Sequence, residues 1–171
     1  MNEALAGKPR VALLATDIDG VLTDGGMYFG VEGQVMKRFD VKDGYGLARV
    51  RDAGVRIAFI STDSSEIGVV RGEKLRVAEV CVGVPDKREC LQELLARWGL
   101  RPEQVVFVGD DLLDLVVRDL VGTFVAPADA VPEVRAQADY VTRAPGGHGA
   151  MREVCDAIVA HNSTMEQASD A

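Results

Sequence analysis

Five short apolar runs alternate with longer segments of helical periodicity along this chain. The runs lie between Gly, Pro or Asp residues and span residues 11–15, 55–60, 77–82, 105–108 and 123–126. Continuous apolar runs of this length are typical of strands that are buried on both faces. Segments with helical spacing cover residues 43–52, 65–75 and 87–98. Strands that alternate with helices predict a three-layer, Rossmann-like α/β fold in which helices cover both faces of a parallel sheet.

One stretch departs from the alternation. Residues 25–30 and 34–39 form two short candidate strands joined through residues 31–33, which predicts a β-hairpin between the first strand and the first helix. No second core-sized segment interrupts the chain of 171 residues. We therefore expect a single domain over residues 1–160 without a cap domain. The polar residues 161–171 are expected to form a disordered tail.

Composition argues against several classes of function. Nineteen Lys and Arg residues against 27 Asp and Glu residues give a net charge of −8, and no basic stripe is present that would bind nucleic acid. The longest uninterrupted apolar run, Val11–Ala15, is far shorter than the roughly 20 residues of a membrane-spanning helix. The N-terminus lacks the apolar segment of a secretory signal. Three widely spaced cysteines fit neither a disulfide framework nor a zinc site, so we expect a cytoplasmic protein.

Reactive side chains follow four of the predicted strands, at the edge where open parallel sheets bind ligands. They are Asp17 and Asp19 after the first strand, Ser61, Thr62 and Asp63 after the second, Lys87 after the third, and Gly109, Asp110 and Asp111 after the fourth. Each of these alone could form a turn or cap a helix. Their joint occurrence at four separate strand ends favours a catalytic site.

The acids of this edge favour a magnesium site. They are Asp17, Asp19, Asp110, Asp111 and Asp114. Carboxylates that lie close together repel one another unless a cation lies between them. Oxygen donors without a convergent His or Cys suit a hard cation such as Mg²⁺. A carboxylate beside Mg²⁺ can attack phosphorus and form an aspartyl phosphate, while the metal and a lysine offset the phosphoryl charge.

These residues resemble the four motifs of the haloacid dehalogenase superfamily of phosphohydrolases. The matching residues are Asp17-Ile-Asp19-Gly20, Ser61, Lys87 and Gly109-Asp110-Asp111. Residues 19–25, 39–46 and 146–153 are similar to the small lidless phosphatases that act on 2-keto-3-deoxy sugar acid phosphates, either octulosonate 8-phosphates or nine-carbon 9-phosphates. The resemblance extends over about residues 11–158. It implies an Mg²⁺-dependent phosphoric monoester hydrolase that works through an aspartyl phosphate.

The resemblance also implies a role for each motif residue. Asp17 would be the nucleophile and a metal ligand. Asp19 would be the general acid and then the general base, and its backbone carbonyl would bind the metal, whose site Asp110 would complete. Ser61 would hydrogen-bond the transferring phosphoryl group, and Lys87 would neutralise it.

The implied contacts with the sugar acid are more numerous. They are Asp19, Lys42, Asp43, Gly44, Asp63, Arg71, Lys74 and Lys87. Octulosonate phosphatases place Gly-Arg after the Thr of their second motif, whereas this chain has Ser61-Thr62-Asp63, similar to the Ser-Thr-Glu of the nine-carbon branch. An anion in place of a cation beside an anionic sugar acid is expected to shift specificity. Asp63 could instead only cap the following helix, and both interpretations stay open here.

Family members are homotetramers in which a neighbour's hairpin and glycine-rich segment help to close the active site, so the resemblance implies a homotetramer. Two other functions fit parts of the pattern. A non-catalytic oligomerisation domain, like the C-terminal domain of sialic-acid cytidylyltransferases, would need neither Asp17 nor Asp19. A signalling receiver domain also combines acids with a Ser or Thr and a Lys. It retains its phosphoryl group, however, whereas Asp19 is spaced to hydrolyse the intermediate.

Overall fold

The computed structural model describes residues 1–169. The helices are α1 (Asn2–Leu5), α2 (Val41–Asp52), α3 (Glu66–Leu75), α4 (Lys87–Trp98), α5 (Pro132–Gln137) and α6 (Ala150–Ser169). The strands are β1 (Leu13–Thr16), β2 (Tyr28–Gly30), β3 (Gly33–Met36), β4 (Arg56–Ile60), β5 (Glu79–Cys81), β6 (Val105–Val108), β7 (Thr123–Ala126) and β8 (Tyr140–Val141). Two 3-10 helices cover Pro102–Gln104 and Leu112–Leu120.

Six strands form one parallel sheet in the order β5-β4-β1-β6-β7-β8. The first strand lies between β4 and β6, so that Leu13 is opposite both Arg56 and Val105. Strands β2 and β3 pair with each other in a separate antiparallel hairpin. The predicted α/β fold with a parallel sheet and a hairpin after the first strand is therefore confirmed.

The apolar runs become strands because both faces of the sheet are covered. Every residue of β1 is buried, and successive side chains of a strand point to opposite faces. Leu14 accordingly belongs to the core under α2 and α6, while Leu13 and Ala15 belong to the core under α4 and the 3-10 helix that follows β6. In this second core the rings of Phe107 and Phe124 stack with centroids 5.7 Å apart.

The C-terminal segment differs from its prediction. Residues from 161 onward were expected to form a disordered tail, but α6 continues through them to Ser169. Asn162 explains part of this difference because its buried side chain pairs with the backbone of Val11. Its Oδ1 accepts from the Val11 N–H at 2.9 Å, and its Nδ2 donates to the Val11 carbonyl at 2.9 Å. Residues 170 and 171, also predicted for this tail, lie outside the described residues.

Further elements were not predicted from the sequence. The 3-10 helix Leu112–Leu120, helix α5 and strand β8 are too short or too irregular to give a clear period. The three cysteines are free thiols. Within residues 1–169, none of the helices combines the length and the hydropathy that a membrane crossing needs.

Candidate active site

The ends of β1, β4 and β6 bring the first, second and fourth motifs to one edge of the sheet. Sheet-like hydrogen bonds continue beyond the strands at each of these points. The Asp17 N–H donates to Val108 at 3.0 Å, and the Ser61 N–H donates to Cys81 at 2.8 Å. The loops therefore leave the sheet from fixed positions, and their side chains converge on one cleft.

Asp17 lies at the bottom of this cleft with both carboxylate oxygens engaged. Oδ1 accepts a hydrogen bond from the Ile18 N–H at 2.7 Å, and Oδ2 lies 2.9 Å from the Lys87 ammonium. Burial, and after it the charge of Asp114, raises the pKa of Asp17 to about 6, although Lys87 acts in the opposite direction. The carboxylate is thus oriented by both contacts, and its burial together with the nearby charge of Asp114 outweighs the effect of Lys87 on its pKa.

Lys87 is the first residue of α4, which begins at the side-chain cap Asp86. The Lys87 side chain is 2% exposed, and its Nζ lies 2.7 Å from Asp114 Oδ1 as well as 2.9 Å from Asp17 Oδ2. Burial alone would lower the pKa of Lys87, but the charges of Asp114 and Asp17 outweigh it and raise that pKa. Lys87 is therefore a fixed, buried cation. We call Lys87, Asp17 and Asp114 the Lys87 cluster.

Asp114 binds both Lys87 and the backbone of the loop after β6. It is fully buried, and its Oδ2 accepts from the N–H groups of Asp110 at 2.8 Å and Asp111 at 3.2 Å. The same carboxylate therefore holds Lys87 and shapes the loop that carries Asp110. From the sequence, Asp114 was predicted only as one of the oxygen donors at this edge, without a role of its own in the site. The spacing of Asp111 and Asp114 is that of a capping box, a signal that would have indicated the bond from the Asp111 N–H but not the contact with Lys87.

Asp110 supplies an unsatisfied oxygen to the cleft. Its Oδ1 is buried and has no hydrogen-bond partner among the described residues. Burial, followed by the charges of Asp114 and Asp17, raises the pKa of Asp110 to about 8. The loop after β1 approaches so closely that a Cβ at Gly20 would collide with the Asp110 carboxylate, and Gly20 also has a φ of +77°. Glycine is required at this position for both reasons.

The acids of the cleft fit a hard divalent cation. Carboxylate oxygens of Asp17, Asp110 and Asp114 lie within 4.8 Å of one another, and oxygen donors are the ligands that Mg²⁺ prefers. The Asp114 side chain is 0% exposed, whereas that of Asp17 is 12% exposed, so the carboxylates that the cleft offers to a metal are those of Asp17 and Asp110. The buried Asp110 oxygen, which has no hydrogen-bond partner within residues 1–169, supports the same conclusion.

A second buried lysine, Lys37, was missed by the sequence analysis. It follows β3 of the hairpin, its side chain is 1% exposed, and its Nζ lies 2.7 Å from Asp19 Oδ2 and 2.5 Å from Asp63 Oδ2. Burial opposes the charged form of Lys37, but hydrogen bonds to Asp19 and Asp63 outweigh it and raise the Lys37 pKa. We call Lys37, Asp19 and Asp63 the Lys37 cluster. A single lysine in a short hairpin carries no motif that would reveal these contacts.

The loop after β4 supplies Ser61 and Asp63. Ser61 is buried, and its Oγ accepts from the Asp63 N–H at 3.2 Å. Asp63 Oδ1 accepts from the Ser65 N–H at 3.1 Å. Partial burial would raise the pKa of Asp63, but the hydrogen bonds from Lys37 and Ser65 outweigh it, and the Asp63 pKa is lowered. Asp63 therefore fixes the loop before α3 and also binds Lys37, but it does not cap the helix as one interpretation expected, because the N-cap of α3 is Ser65.

One cleft contains all the residues predicted to be catalytic or to bind metal. Its lining includes Asp17, Asp19, Ser61, Lys87 and Asp110. Asp63 also lines the cleft, as do Asp111 and Asp114. The structure thus brings together the four motif loops that the sequence analysis placed at one sheet edge.

The predicted substrate residues of α2 lie elsewhere in this chain. Lys42 borders a different cavity, which it shares with Arg143 and His148 among others. Asp43 is buried, and its carboxylate accepts from the Gly149 N–H at 3.2 Å and the Arg152 N–H at 2.7 Å. Asp43 thereby satisfies backbone donors at the start of α6.

Gly44, Arg71 and Lys74 are also outside the cleft lining. A Cβ at Gly44 would lie 2.5 Å from the Arg71 guanidinium. The glycine therefore lets the Arg71 side chain of α3 lie against the backbone of α2. The Arg71 guanidinium lies 5.1 Å from the centre of the Phe39 ring and donates to the Asp40 carbonyl at 3.3 Å. Lys74 is exposed in the last turn of α3, at the end of that helix remote from Asp63.

Comparisons with known proteins agree with this geometry. The profile of a family described as haloacid dehalogenase-like hydrolase matches residues 62–153. The 3-deoxy-D-manno-octulosonate 8-phosphate phosphatase of Yersinia pestis is 40% identical over 168 residues, which cover 98% of this chain and 90% of that protein. The Escherichia coli K12 enzyme of the same name is 37% identical over 166 residues, covering 97% of this chain and 88% of that one.

Solved structures give the same match. The 3-deoxy-D-manno-octulosonate 8-phosphate phosphatase of Moraxella catarrhalis, in complex with magnesium ion, phosphate ion and KDO, superimposes with a TM-score of 0.90. It is 32% identical, and the match covers 98% of this chain and 96% of that one. The Y. pestis phosphatase superimposes with a TM-score of 0.89 at 39% identity, covering 96% of this chain and 88% of that chain.

Proposed function

The chain belongs to the haloacid dehalogenase-like hydrolase family and is a phosphoric monoester hydrolase, and from this we propose that it hydrolyses 3-deoxy-D-manno-octulosonate 8-phosphate with Mg²⁺ as cofactor. The near full-length relatives that carry this activity in their names support the substrate. The magnesium ion in the M. catarrhalis complex supports the cofactor. Asp17, Asp110 and the backbone carbonyl of Asp19 would hold the metal, which would supply positive charge for the phosphoryl oxygens.

The first step is phosphoryl transfer to the chain. The Asp17 carboxylate attacks phosphorus, and the bond from phosphorus to the sugar oxygen breaks while Asp19 gives that oxygen a proton. The Ile18 N–H at 2.7 Å orients the nucleophile. Lys87, 2.9 Å from the same carboxylate, lies where the phosphoryl oxygens would gather and offsets their charge.

The second step releases phosphate. Asp19 accepts a proton from a water molecule, whose oxygen attacks phosphorus and displaces the Asp17 carboxylate. Ser61 can donate to the phosphoryl group throughout, because its Oγ accepts from the Asp63 N–H and its own proton stays available. Both reactions therefore use side chains that already line one cleft.

The observation that carries this proposal is the Lys87-paired carboxylate of Asp17 beside a buried oxygen of Asp110 that no group in the described part of the chain contacts by a hydrogen bond. A phosphate-release screen tests it. The octulosonate 8-phosphate, a nine-carbon sugar acid 9-phosphate and glucose 6-phosphate would be compared in Mg²⁺ and in EDTA. We expect the highest kcat/KM with the eight-carbon substrate and no turnover in EDTA.

Each other outcome of the screen has a defined meaning. A preference for the nine-carbon 9-phosphate would assign the chain to that branch, as Asp63 in place of an arginine suggests. The absence of release from any ester in Mg²⁺ would overturn the enzyme proposal and favour the oligomerisation domain. A separate incubation with a small phosphodonor tests the receiver domain, which a long-lived phosphoprotein would favour.

We further propose that the hairpin packs against neighbouring copies in a homotetramer. Its apolar side chains are exposed in the single chain: Met27, Tyr28, Phe29, Val31, Val35 and Met36. Contiguous exposed apolar surface of this kind marks protein interfaces, and it lies beside the cleft that a lidless enzyme must shield from water.

Light scattering after gel filtration tests the assembly. Val35→Asp should dissociate it, whereas Val70→Asp on α3 is a matched control because both valines are 63% exposed. A wild-type monomer would contradict the proposal, and equal dissociation by both variants would show that the hairpin has no special part in it.

A further inference from the structure

The proposed mechanism leaves one buried charge beside the cleft without a role, the ammonium of Lys37. Its side chain is 1% exposed, although it belongs to a hairpin whose other side chains are largely open to solvent. Removing an ammonium from water costs several kcal/mol unless carboxylates pair with it. The position of Lys37 is therefore determined by its partners.

The first partner is the carboxylate of Asp19, whose Oδ2 lies 2.7 Å from Lys37 Nζ. Within residues 1–169, no other hydrogen bond or ion pair to this carboxylate is found. Asp17, by contrast, is fixed through both oxygens by the Ile18 N–H and by Lys87. The orientation of the Asp19 side chain thus depends on a single ammonium.

The second partner is Asp63, whose Oδ2 lies 2.5 Å from the same ammonium. Asp63 is itself tied to the backbone, because its other oxygen accepts from the Ser65 N–H and its own N–H donates to Ser61 Oγ. A lysine has a long and flexible side chain, and one flexible contact would not place it accurately. Two contacts, one of them to a fixed loop, define where the ammonium lies.

We infer that Lys37 is a positioning residue that holds the Asp19 carboxylate for proton transfer, and that Asp63 is the anchor of Lys37. This inference rests on the proposed function, since it needs Asp19 to protonate the leaving oxygen. It also changes the interpretation of Asp63, which acts on the reaction through Lys37 and does not cap the following helix, because the N-cap of α3 is Ser65. Proton transfer requires hydrogen-bond distance between donor and acceptor, so a displaced Asp19 should slow esters that need a protonated leaving group.

The test compares two esters in kcat/KM, which reports steps up to phosphoryl transfer. Octulosonate 8-phosphate has an alkoxide leaving group that needs a proton, whereas p-nitrophenyl phosphate has a leaving group that departs without one. Lys37→Met should reduce kcat/KM for the sugar phosphate by roughly 100-fold and for p-nitrophenyl phosphate by only a few-fold. Lys37→Arg should recover much of the loss, and Asp63→Asn should show the same bias with a smaller amplitude.

Lys8→Met is the matched control for loss of a lysine. Lys8 donates to the Gly122 carbonyl, just before β7 and at the opposite edge of the sheet from the cleft, and this variant should keep the activity ratio of the wild type. Equal losses for both esters in Lys37→Met and Asp63→Asn would overturn the inference in favour of a general structural role. Unchanged kinetics would overturn it as well.

Failure of this inference can be told apart from failure of the proposed function. Asp19→Asn provides the reference, because it should show the strong bias toward p-nitrophenyl phosphate whatever Lys37 does. If the wild type hydrolyses neither ester, the proposed function fails. If the wild type and Asp19→Asn behave as expected but Lys37→Met shows no bias, only the role of Lys37 fails. Should Lys37→Met not fold, Lys37→Arg and Asp63→Asn decide the same question through the ratio of the two esters.

Discussion

Two buried lysines stand on either side of the proposed phosphoryl site, and each bridges one of the two aspartates after β1 to a second acid. We call the second acid of each pair the outer acid, because it does not belong to the loop after β1. The outer acid of Lys87 is Asp114, which is fully buried and accepts two backbone hydrogen bonds. The outer acid of Lys37 is Asp63, whose side chain remains 28% exposed. The Lys87 cluster is thus enclosed by the core of the sheet, whereas the Lys37 cluster lies between a hairpin and a loop at the mouth of the cleft.

The enclosed cluster and the more open cluster suit two different tasks in one site. The Lys87 cluster contains the proposed nucleophile and adjoins Asp110, so it concentrates negative charge in the interior, where a metal is needed. The Lys37 cluster contains Asp19, which would exchange protons with substrate and water, and the Asp19 side chain is 20% exposed. The nucleophile needs rigidity and charge neutralisation, while the acid–base group needs access and orientation.

The largest effect is expected from Asp17→Asn. The amide keeps an oxygen for the Ile18 N–H but is a poor nucleophile, so turnover should fall by roughly 10⁴-fold or more. Lys87 still has Asp114 as a partner at 2.7 Å, so the fold should persist, which circular dichroism would check. Phosphate release near the wild-type rate would show that the phosphoryl group is transferred to something other than Asp17.

The contents of the cleft could be predicted because parallel strands end at the same edge. Asp17, Ser61 and Asp110 each lie within two residues of the end of an apolar run, and the topology alone then brings them together. Lys87 belongs to the same group because it begins the helix after β5. For these residues, strand order and loop position were sufficient, and no side-chain contact had to be known.

The supporting contacts could not be predicted in this way. Lys37 reaches Asp63 across 26 residues, and Asp43 reaches the Arg152 N–H across 109. Neither pair shares a periodic pattern, because a hydrogen bond between distant loops leaves no spacing in the sequence. The helical C-terminal segment could not be predicted for the same reason, because Asn162 is held by hydrogen bonds to Val11, which is 151 residues away in sequence.

The next largest effect concerns the free energy of unfolding, which should fall much more when Asp114 is changed than when Asp63 is changed. The Asp114 carboxylate accepts from the Lys87 ammonium and from two backbone N–H groups. Asp114→Asn puts an amide N–H₂ against these donors and leaves buried groups unpaired. It should therefore lower the free energy of unfolding by about 3–5 kcal/mol. Asp63→Asn is the matched variant, and because Asp63 is partly exposed its cost should be about 1 kcal/mol or less. Urea unfolding at one protein concentration in EDTA would measure both. Equal costs would remove the contrast between an enclosed cluster and an open one.

A smaller effect concerns pH in the absence of metal. The pKa of Asp110 is raised to about 8 by burial and by the charges of Asp114 and Asp17, whereas it is about 4 in an unfolded chain. Between these values the folded protein binds a proton that the unfolded chain has released, so stability in EDTA should fall as pH rises from 6 to 8. The slope should be about 1 kcal/mol per pH unit.

Asp110→Asn provides the control for this slope, because it cannot ionise and should be less sensitive to pH over the same range. Mg²⁺ should stabilise the wild type most at pH 8, where the carboxylate is free to bind it. The Lys37 cluster should not contribute to this slope, since the pKa of Asp63 is lowered rather than raised. A wild-type stability that rises between pH 6 and 8 in EDTA would contradict the assignment of excess negative charge to the Lys87 side.

The smallest effect is expected from Asp63→Arg, which converts the outer acid of Lys37 into the residue type of octulosonate phosphatases. It should move the ratio of kcat/KM for eight-carbon over nine-carbon substrates toward the eight-carbon acid, by roughly 10-fold or less. Asp63→Asn removes the anion without adding a cation and separates the two contributions. If both variants shift the ratio equally, loss of the anion is what counts. If neither does, Asp63 serves Lys37 alone, and the sugar acid is selected by another part of the cleft or by a neighbouring subunit.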